Sequence, residues 1–489
     1  MRAVRWKRMI TLVALTETAT LGTLSGQQPL WVRHNTLGNT ARAMLVDSAG
    51  YIYVTGQGWR QGTGNDFVTV KYDPDGNLVW QHAFSGETIA FDDHAAAIAE
   101  DQAGNVIVTG QVDVVRNNTP GTGYATLKYL FNSTGTPTWG RRYMGSQQEF
   151  PSNAARAIAT DFLSNVYVTG MSRGNDSAED IVTVSYGPTG NERWVRRYAG
   201  GGYSQDWGNA IKVNWFTGEI YVTGKTGNFP VLIKYSSGSS ELWTAIEGSF
   251  PGEARAIALD TSGNIYIAGL HAWDTRNYFI SKYNSAGTRL WNRVYDGGGH
   301  DDVAALAVDV DGNAYVTGTS QGTDTGNDYT TVKYDTNGNL QWVQRYHSGD
   351  DRASGLAVSF FTGDVYITGR SDNKIATLKY DTNGNLQWVR RYEHRNGAGI
   401  GVGLYEYELG IPTVYVVGTT QSDYTIIKYP PCYVVGDVDG NCCVDDADLL
   451  LVLFDFGQTG IDLQGDLNSD GTVDDADLLT VLFNFGSGC

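Results

Sequence analysis

The sequence predicts an all-β fold, an eight-bladed β-propeller of four-stranded blades, followed by a small α-helical domain with two calcium-type loops. Three observations carry that expectation. A Val-Thr-Gly-like marker recurs with its glycine at 56, 110, 170, 224, 269, 318, 369 and 418, spaced 45 to 60 residues apart, the size of one propeller blade. Each marker lies in the same succession of four short runs, clearest at 303–346 as AALAVD, NAYVTG, YTTVKY and NLQWVQRY. Such runs, rich in Val, Tyr, Thr and Trp and bounded by Asp, Asn and Gly, read as strands joined by tight turns. The third observation is a change of composition. Of a chain with net charge −18, residues 432–489 carry twelve Asp, no Lys or Arg, and all four cysteines.

Taken in order, the chain begins with Arg2, Arg5, Lys7 and Arg8, then MITLVAL and small residues, which reads as an export signal over 1–26. The propeller is expected over 27–430. An Ala-rich run precedes each marker (ARAMLVD, ARAIATD, VAALAVD), and small residues suit the innermost strand, where blades crowd the axis. The strand after the marker ends in Tyr: Tyr72, Tyr129, Tyr186, Tyr235, Tyr283, Tyr334, Tyr380 and Tyr429. The fourth strand carries Trp80, Trp139, Trp194, Trp243, Trp291, Trp342 or Trp388, expected to pack between blades. The eighth copy is Trp31, at the other end of the chain. The N-terminal strand is therefore expected to complete the last blade, and closing the ring removes exposed sheet edges. The D-x-x-G-N words, such as Asp309 to Asn313, read as hairpin turns. Pro430-Pro431 ends the last strand, and the tail domain is expected over 431–489.

The charge excludes nucleic acid as a natural partner, because an acidic chain repels phosphate backbones. No segment after the signal is apolar enough to span a membrane. Four cysteines in one small module fit one or two disulfides in an oxidising compartment, with three full pairings open among Cys432, Cys442, Cys443 and Cys489. A bridge between the adjacent Cys442 and Cys443 would be strained, so each pairs elsewhere or one stays free.

The YVTG, VKYD and GNLQWVRRY words, over about residues 30 to 429, resemble the bacterial β-propeller repeat family called SBBP and, more distantly, NHL repeats. That resemblance implies an exported bacterial protein and supplies a fold with little chemistry.

Within the tail, DVDGNCCVDDADLLLVLFDFG and DLNSDGTVDDADLLTVLFNFG are two copies of one loop followed by one helix. Positions 1, 3, 5, 9 and 12 of each loop carry oxygen side chains: Asp437, Asp439, Asn441, Asp445 and Asp448, then Asp466, Asn468, Asp470, Asp474 and Asp477. Calcium takes six to eight hard oxygen ligands, and position 7, here Cys443 and Thr472, adds a backbone carbonyl. Two Ca2+ ions are expected. Gly471 meets the sharp turn at position 6, whereas Cys442 does not, which makes the first loop the weaker. The duplicated loop–helix unit resembles a type I dockerin, and the resemblance implies docking to a cohesin-like protein or surface scaffold. Recognition would then fall on Asp446, Ala447, Asp475 and Ala476, just inside the helices.

On the propeller, Asn39, Asp93, Asn153, Asp206, Asp301 and Asp351 stand before the inner strands, with Gly252 and Gly399 in the other two places. They read either as turn caps or as a polar ring at one channel mouth. Trp59, Trp207 and Trp273 fall in loops on that face, and tryptophan offers sugar rings a large apolar surface with a polar N–H. No Gly-x-Ser-x-Gly or His-Glu-x-x-His motif is present, so no catalytic residue is assigned. The expectation is a secreted or cell-surface bacterial interaction protein whose propeller binds a polysaccharide or protein and whose tail docks it. The alternative is a secreted carbohydrate-active hydrolase or lyase targeted by the same tail.

Overall fold

The computed structural model describes residues 29–88, 91–116, 118–145, 152–174, 178–201, 204–272, 275–322, 325–406, 412–430, 436–439, 443–461, 463–468 and 470–487. The expected export signal lies outside them. Eight four-stranded antiparallel sheets follow one another round a closed ring. Blade 1 comprises Thr40–Val46, Ile52–Arg60, Gly64–Tyr72 and Leu78–Phe84. Blades 2 to 7 repeat that order, each beginning on its inner strand: His94–Glu100, Asn153–Thr160, Trp207–Val213, Gly252–Leu259, Asp301–Val308 and Asp351–Val358. Blade 8 takes Gly397–Tyr405, Thr413–Thr420 and Asp423–Tyr429 from one end of the chain and Trp31–Asn35 from the other. The closing strand pairs from Trp31 with Lys428 to Asn35 with Tyr424, as the missing eighth tryptophan predicts.

The repeated words have physical reasons. In blade 6 the inner strand shifts register between Val303 and Ala305, and this brings the Asp302 carbonyl against the marker glycine. A Cβ on Gly318 would lie 2.1 Å from that oxygen, so no larger residue fits. The marker threonine turns inward, where the Thr317 and Thr331 hydroxyls meet at 2.8 Å and satisfy each other in a dry sheet. In the D-x-x-G-N turn, Asp309 accepts the Asp311 and Asn313 amides at 3.1 and 2.8 Å.

Blades are joined by the fourth-strand tryptophan. Trp291 lies 5.9 Å from Tyr266 of its own blade and 6.3 Å from Tyr334 of the next. Its Nε1 donates to the Thr336 carbonyl at 3.1 Å, which Lys282 Nζ also reaches at 3.0 Å. The ring covers the next blade's turn so closely that a Cβ on Gly338, already at φ +80°, would stand 2.7 Å from it. The same Trp and Lys pair meets one carbonyl at Pro188, Ser285, Thr382 and, across the closure, Pro74. Each apolar cluster accordingly combines residues from neighbouring blades, so no blade buries its own face.

In the tail, helices α1 (Asp446–Asp455) and α2 (Asp475–Asn484) each begin at a capping box. Asp445 accepts the Ala447 amide at 2.8 Å, and Asp474 accepts the Ala476 amide at 2.8 Å. The two halves exchange backbone bonds. Val444 pairs with Gly486 and Ser487 beyond α2, and Val473 pairs with Gly457 and Gln458 beyond α1. A small valine core (Val438, Val444, Val452, Val473 and Val481) lies between them. Cys443 is disulfide-bonded, and Cys432, Cys442 and Cys489 lie outside the described residues. No described helix is long and apolar enough to cross a membrane.

Candidate functional site

The tail places its carboxylates by local turns and helix starts. Asp448, at the third position of α1, is fully buried; one oxygen accepts the Val438 and Asp439 amides at 2.6 and 3.0 Å, the other the Asp445 amide at 2.8 Å. Asp477 repeats this in α2, accepting Leu467 and Asn468 at 2.7 and 3.1 Å and Asp474 at 3.0 Å. Oxygens of Asp437, Asp439 and Asp448 lie within 4.8 Å of one another, and Asp437 and Asp448 are buried. In the second loop Asp466 accepts the Asp470 and Gly471 amides, Asn468 accepts Asp470, and Asp470 accepts Thr472, which curls the backbone round one centre. Hard oxygen donors crowded in a segment without Lys or Arg fit a divalent cation, which would offset their mutual repulsion. Asn441 lies outside the described residues. Asp446, Ala447, Asp475 and Ala476 are exposed at matching positions, and Leu450, Leu453, Phe454 with Leu479, Leu482, Phe483 extend that duplicated face.

Of the positions before the inner strands, Asp93, Asn153, Asp206, Asp301 and Asp351 are buried inside the blades and Asn39 is half-buried. Asp206 accepts Gly200 and Gly227 amides at 2.6 and 2.8 Å, Asp301 accepts Gly297 at 2.8 Å, and Asp351 accepts Ser348 and Gly349 at 2.5 and 3.1 Å. Asp93 accepts the Asp113 amide at 2.6 Å and the Gly86 amide. Burial pushes the Asp93 carboxyl up to about 7 against these bonds, with repulsion from Asp113 and Asp66 adding to it. Asn153 donates to the Thr122 carbonyl at 2.7 Å. These contacts are those of loop anchors rather than of a ring open to the channel. Gly399 does not occupy the expected place: it pairs with the marker Gly418 as Ala353 pairs with Gly369, and Gly397, opposite Thr420, is the equivalent of Asp351 opposite Ser371.

Trp207 is half-buried, with Lys225 Nζ 3.8 Å and Arg156 Cζ 4.7 Å from its ring centre and its Nε1 donating to Glu179 at 2.7 Å. Cations therefore occupy the surface that a sugar would need. Trp59 is 64% exposed at the end of its strand, and Trp273 lies outside the described residues.

The opposite face holds what the sequence reading missed. The turns from first to second strand carry Phe162-Leu163 in blade 3, Trp215-Phe216 in blade 4 and Phe360-Phe361 in blade 7, where other blades carry pairs such as Gln102-Ala103. Phe216 is 94% exposed and Leu163 70%. The signal was legible: DFLSN, NWFTGE and SFFTGD depart from the D-x-x-G-N word, and the latter two are one residue longer. A cavity of about 480 Å3 lies between the blade 3 and blade 4 turns, and a second of about 550 Å3 lies beyond Trp215 against Glu100, Asp101 and Gln102. Burial, with Asp47 and Asp101 nearby, pushes the Glu100 carboxyl up to about 7. Asp101 is held below the usual range by hydrogen bonds from Lys128 and Asn105 that outweigh its burial.

No protein-family model matches the chain, and no curated protein matches it in sequence. Solved structures do. The crystal structure of Sqt1 from Chaetomium thermophilum is similar at 12% identity and a TM-score of 0.53, over 83% of this chain and 98% of that one. The Dos1 propeller is similar at 11% identity and a TM-score of 0.52, over 82% and 95%. At such identity the likeness shows the fold alone: this chain is a β-propeller.

Proposed function

We propose that the chain is a secreted bacterial interaction protein of the SBBP type, whose propeller binds a ligand and whose dockerin-like tail docks it through calcium. The observation that carries this reading is the duplication in the tail: two fully buried aspartates, Asp448 and Asp477, each tie a loop to a helix start in the same hydrogen-bond pattern. Asp437, Asp439, Asn441, Asp445 and Asp448 would hold one ion, with the Cys443 carbonyl. Asp466, Asn468, Asp470, Asp474 and Asp477 would hold the other, with the Thr472 carbonyl. The exposed, matching helix faces then offer a cohesin-like domain one surface in two orientations. The test is capture of a recombinant cohesin domain by the full chain. Capture in calcium that is lost on chelation and in an Asp448→Ala, Asp477→Ala double variant supports the reading; calcium binding without capture leaves the tail a structural cap.

One observation favours the alternative of a carbohydrate-active enzyme. Glu100 lines one cavity with its carboxyl raised to about 7 by burial and by Asp47 and Asp101, as a general acid requires, while Asp101 itself is committed to its turn and to Lys128. Polysaccharide cleavage abolished by Glu100→Gln would favour it, and binding without turnover would remove it.

A further inference from the structure

The aromatic turns of blades 3 and 4 contribute little to the fold that displays them. The blade 3 turn is set by Asp161, which accepts the Leu163 and Asn165 amides at 2.9 Å each. The blade 4 turn is set by Asn214, which accepts Phe216 and Thr217 at 3.0 and 3.2 Å. Ser48-Ala49 and Gln102-Ala103 close equivalent turns elsewhere, so large apolar tips are not a requirement of the repeat. Their exposure needs another reason.

The two tips form one wall. Phe162 and Trp215 meet edge-to-face, 6.2 Å between ring centres at 80°, and with Phe216 they line one side of the 480 Å3 cavity, the size of a small-ligand site. The base is polar. Arg193 donates to the Tyr167 and Ser185 hydroxyls at 3.1 and 3.2 Å and to the Ser237 carbonyl at 3.3 Å, bonds that leave part of its donor fork to face a ligand. Trp215 also lines the second cavity, where Ser48, Glu100 and Gln102 supply hydroxyl, carboxyl and amide groups. The result is a trough, apolar at one end and hydrogen-bonding at the other, with an indole shared between them.

We infer that this trough binds a neutral polysaccharide chain. A pyranose has an apolar C–H face that packs on Trp215 and Phe216, and a rim of hydroxyls that matches Arg193 at one end and Glu100 with Gln102 at the other. A linear polymer accounts for two adjoining cavities with one aromatic wall in common. A neutral one suits a lining in which Arg193 is matched by Asp161 at one end and Glu100 stands with Asp101 at the other, so that an acidic glycan meets no excess of positive charge. A folded protein partner would rest on about 800 Å2 of this face and would have no need of two cavities with hydrogen-bonding bases. The inference rests on the propeller being the ligand-binding part of the molecule, and it moves the sugar site to the face opposite Trp59 and Trp207.

The test uses the full-length protein in calcium, titrated by calorimetry with soluble hexasaccharides of β-linked glucose, xylose, mannose and N-acetylglucosamine. Binding of at least one, weakened about tenfold or more in a Trp215→Ala, Phe216→Ala double variant with unchanged melting temperature, is the expected result. Retention of that binding in Asp448→Ala separates it from the tail. No binding to the wild-type chain at millimolar sugar, or binding that survives the double variant, overturns the inference. Enrichment of aromatic peptides from a display library on the wild type but not the double variant, with no sugar bound, assigns the trough to a protein and also overturns it.

Discussion

The propeller and the tail are both made of units too small to stand alone, and they solve that problem with different chemistry. A blade leans on its neighbour through an indole, a lysine and a carbonyl, all neutral or paired within the sheet. A tail half leans on the other through a few valines and exchanged backbone bonds, while its buried carboxylates meet no basic residue of their own segment. The first arrangement carries its own stability. The second is a short, acidic module, and the proposed calcium sites would couple its folding to a cation.

Removing divalent cations is the sharpest way to set the two apart. Chelation should abolish the helical circular dichroism of the tail and leave the β-sheet signal and main melting transition in place, whereas a shared fate would break the distinction. Next in size is the staple across the ring closure. Trp31→Ala loses the contact to Tyr415 and the bond to Pro74, and should cost about 3 kcal/mol of propeller stability by chemical denaturation, without changing calcium affinity. Gly338→Ala should cost about 2 kcal/mol or more, since it adds a Cβ 2.7 Å from Trp291 at a positive φ; Gly326→Ala, at φ +80° in open space, should cost only about 1 kcal/mol.

The eight blades were legible because each repeat word answers a packing demand that recurs unchanged, and because a missing tryptophan in one copy named the strand that closes the ring. The two tail helices were legible from the repeated DDADLL word, whose aspartates form the capping boxes. The channel-mouth residues were not, because Asp206 and Asp351 look alike in sequence whether they cap a loop or face solvent. Only the bonds from Gly200 and Ser348 distinguish the two. The aromatic turns were missed for a different reason. SFFTGD and NWFTGE visibly break the D-x-x-G-N word, but a broken word shows only that a turn differs, and the exposure of its aromatic rings follows from where the turn sits.

A smaller effect is expected from Glu100. Its carboxyl is raised to about 7 from 4.5, so between those values the folded chain holds a proton that the unfolded chain has shed. Stability from this group therefore falls as pH rises through that window, and Glu100→Gln should flatten the change between pH 5 and pH 8.

The most direct measurement is a calcium titration of the full-length chain by calorimetry, repeated with Asp448→Ala and Asp477→Ala. Two ions bound by the wild type and one by each single variant is the predicted result. Two ions still bound after both substitutions, or none bound at the start, would contradict a tail organised around calcium.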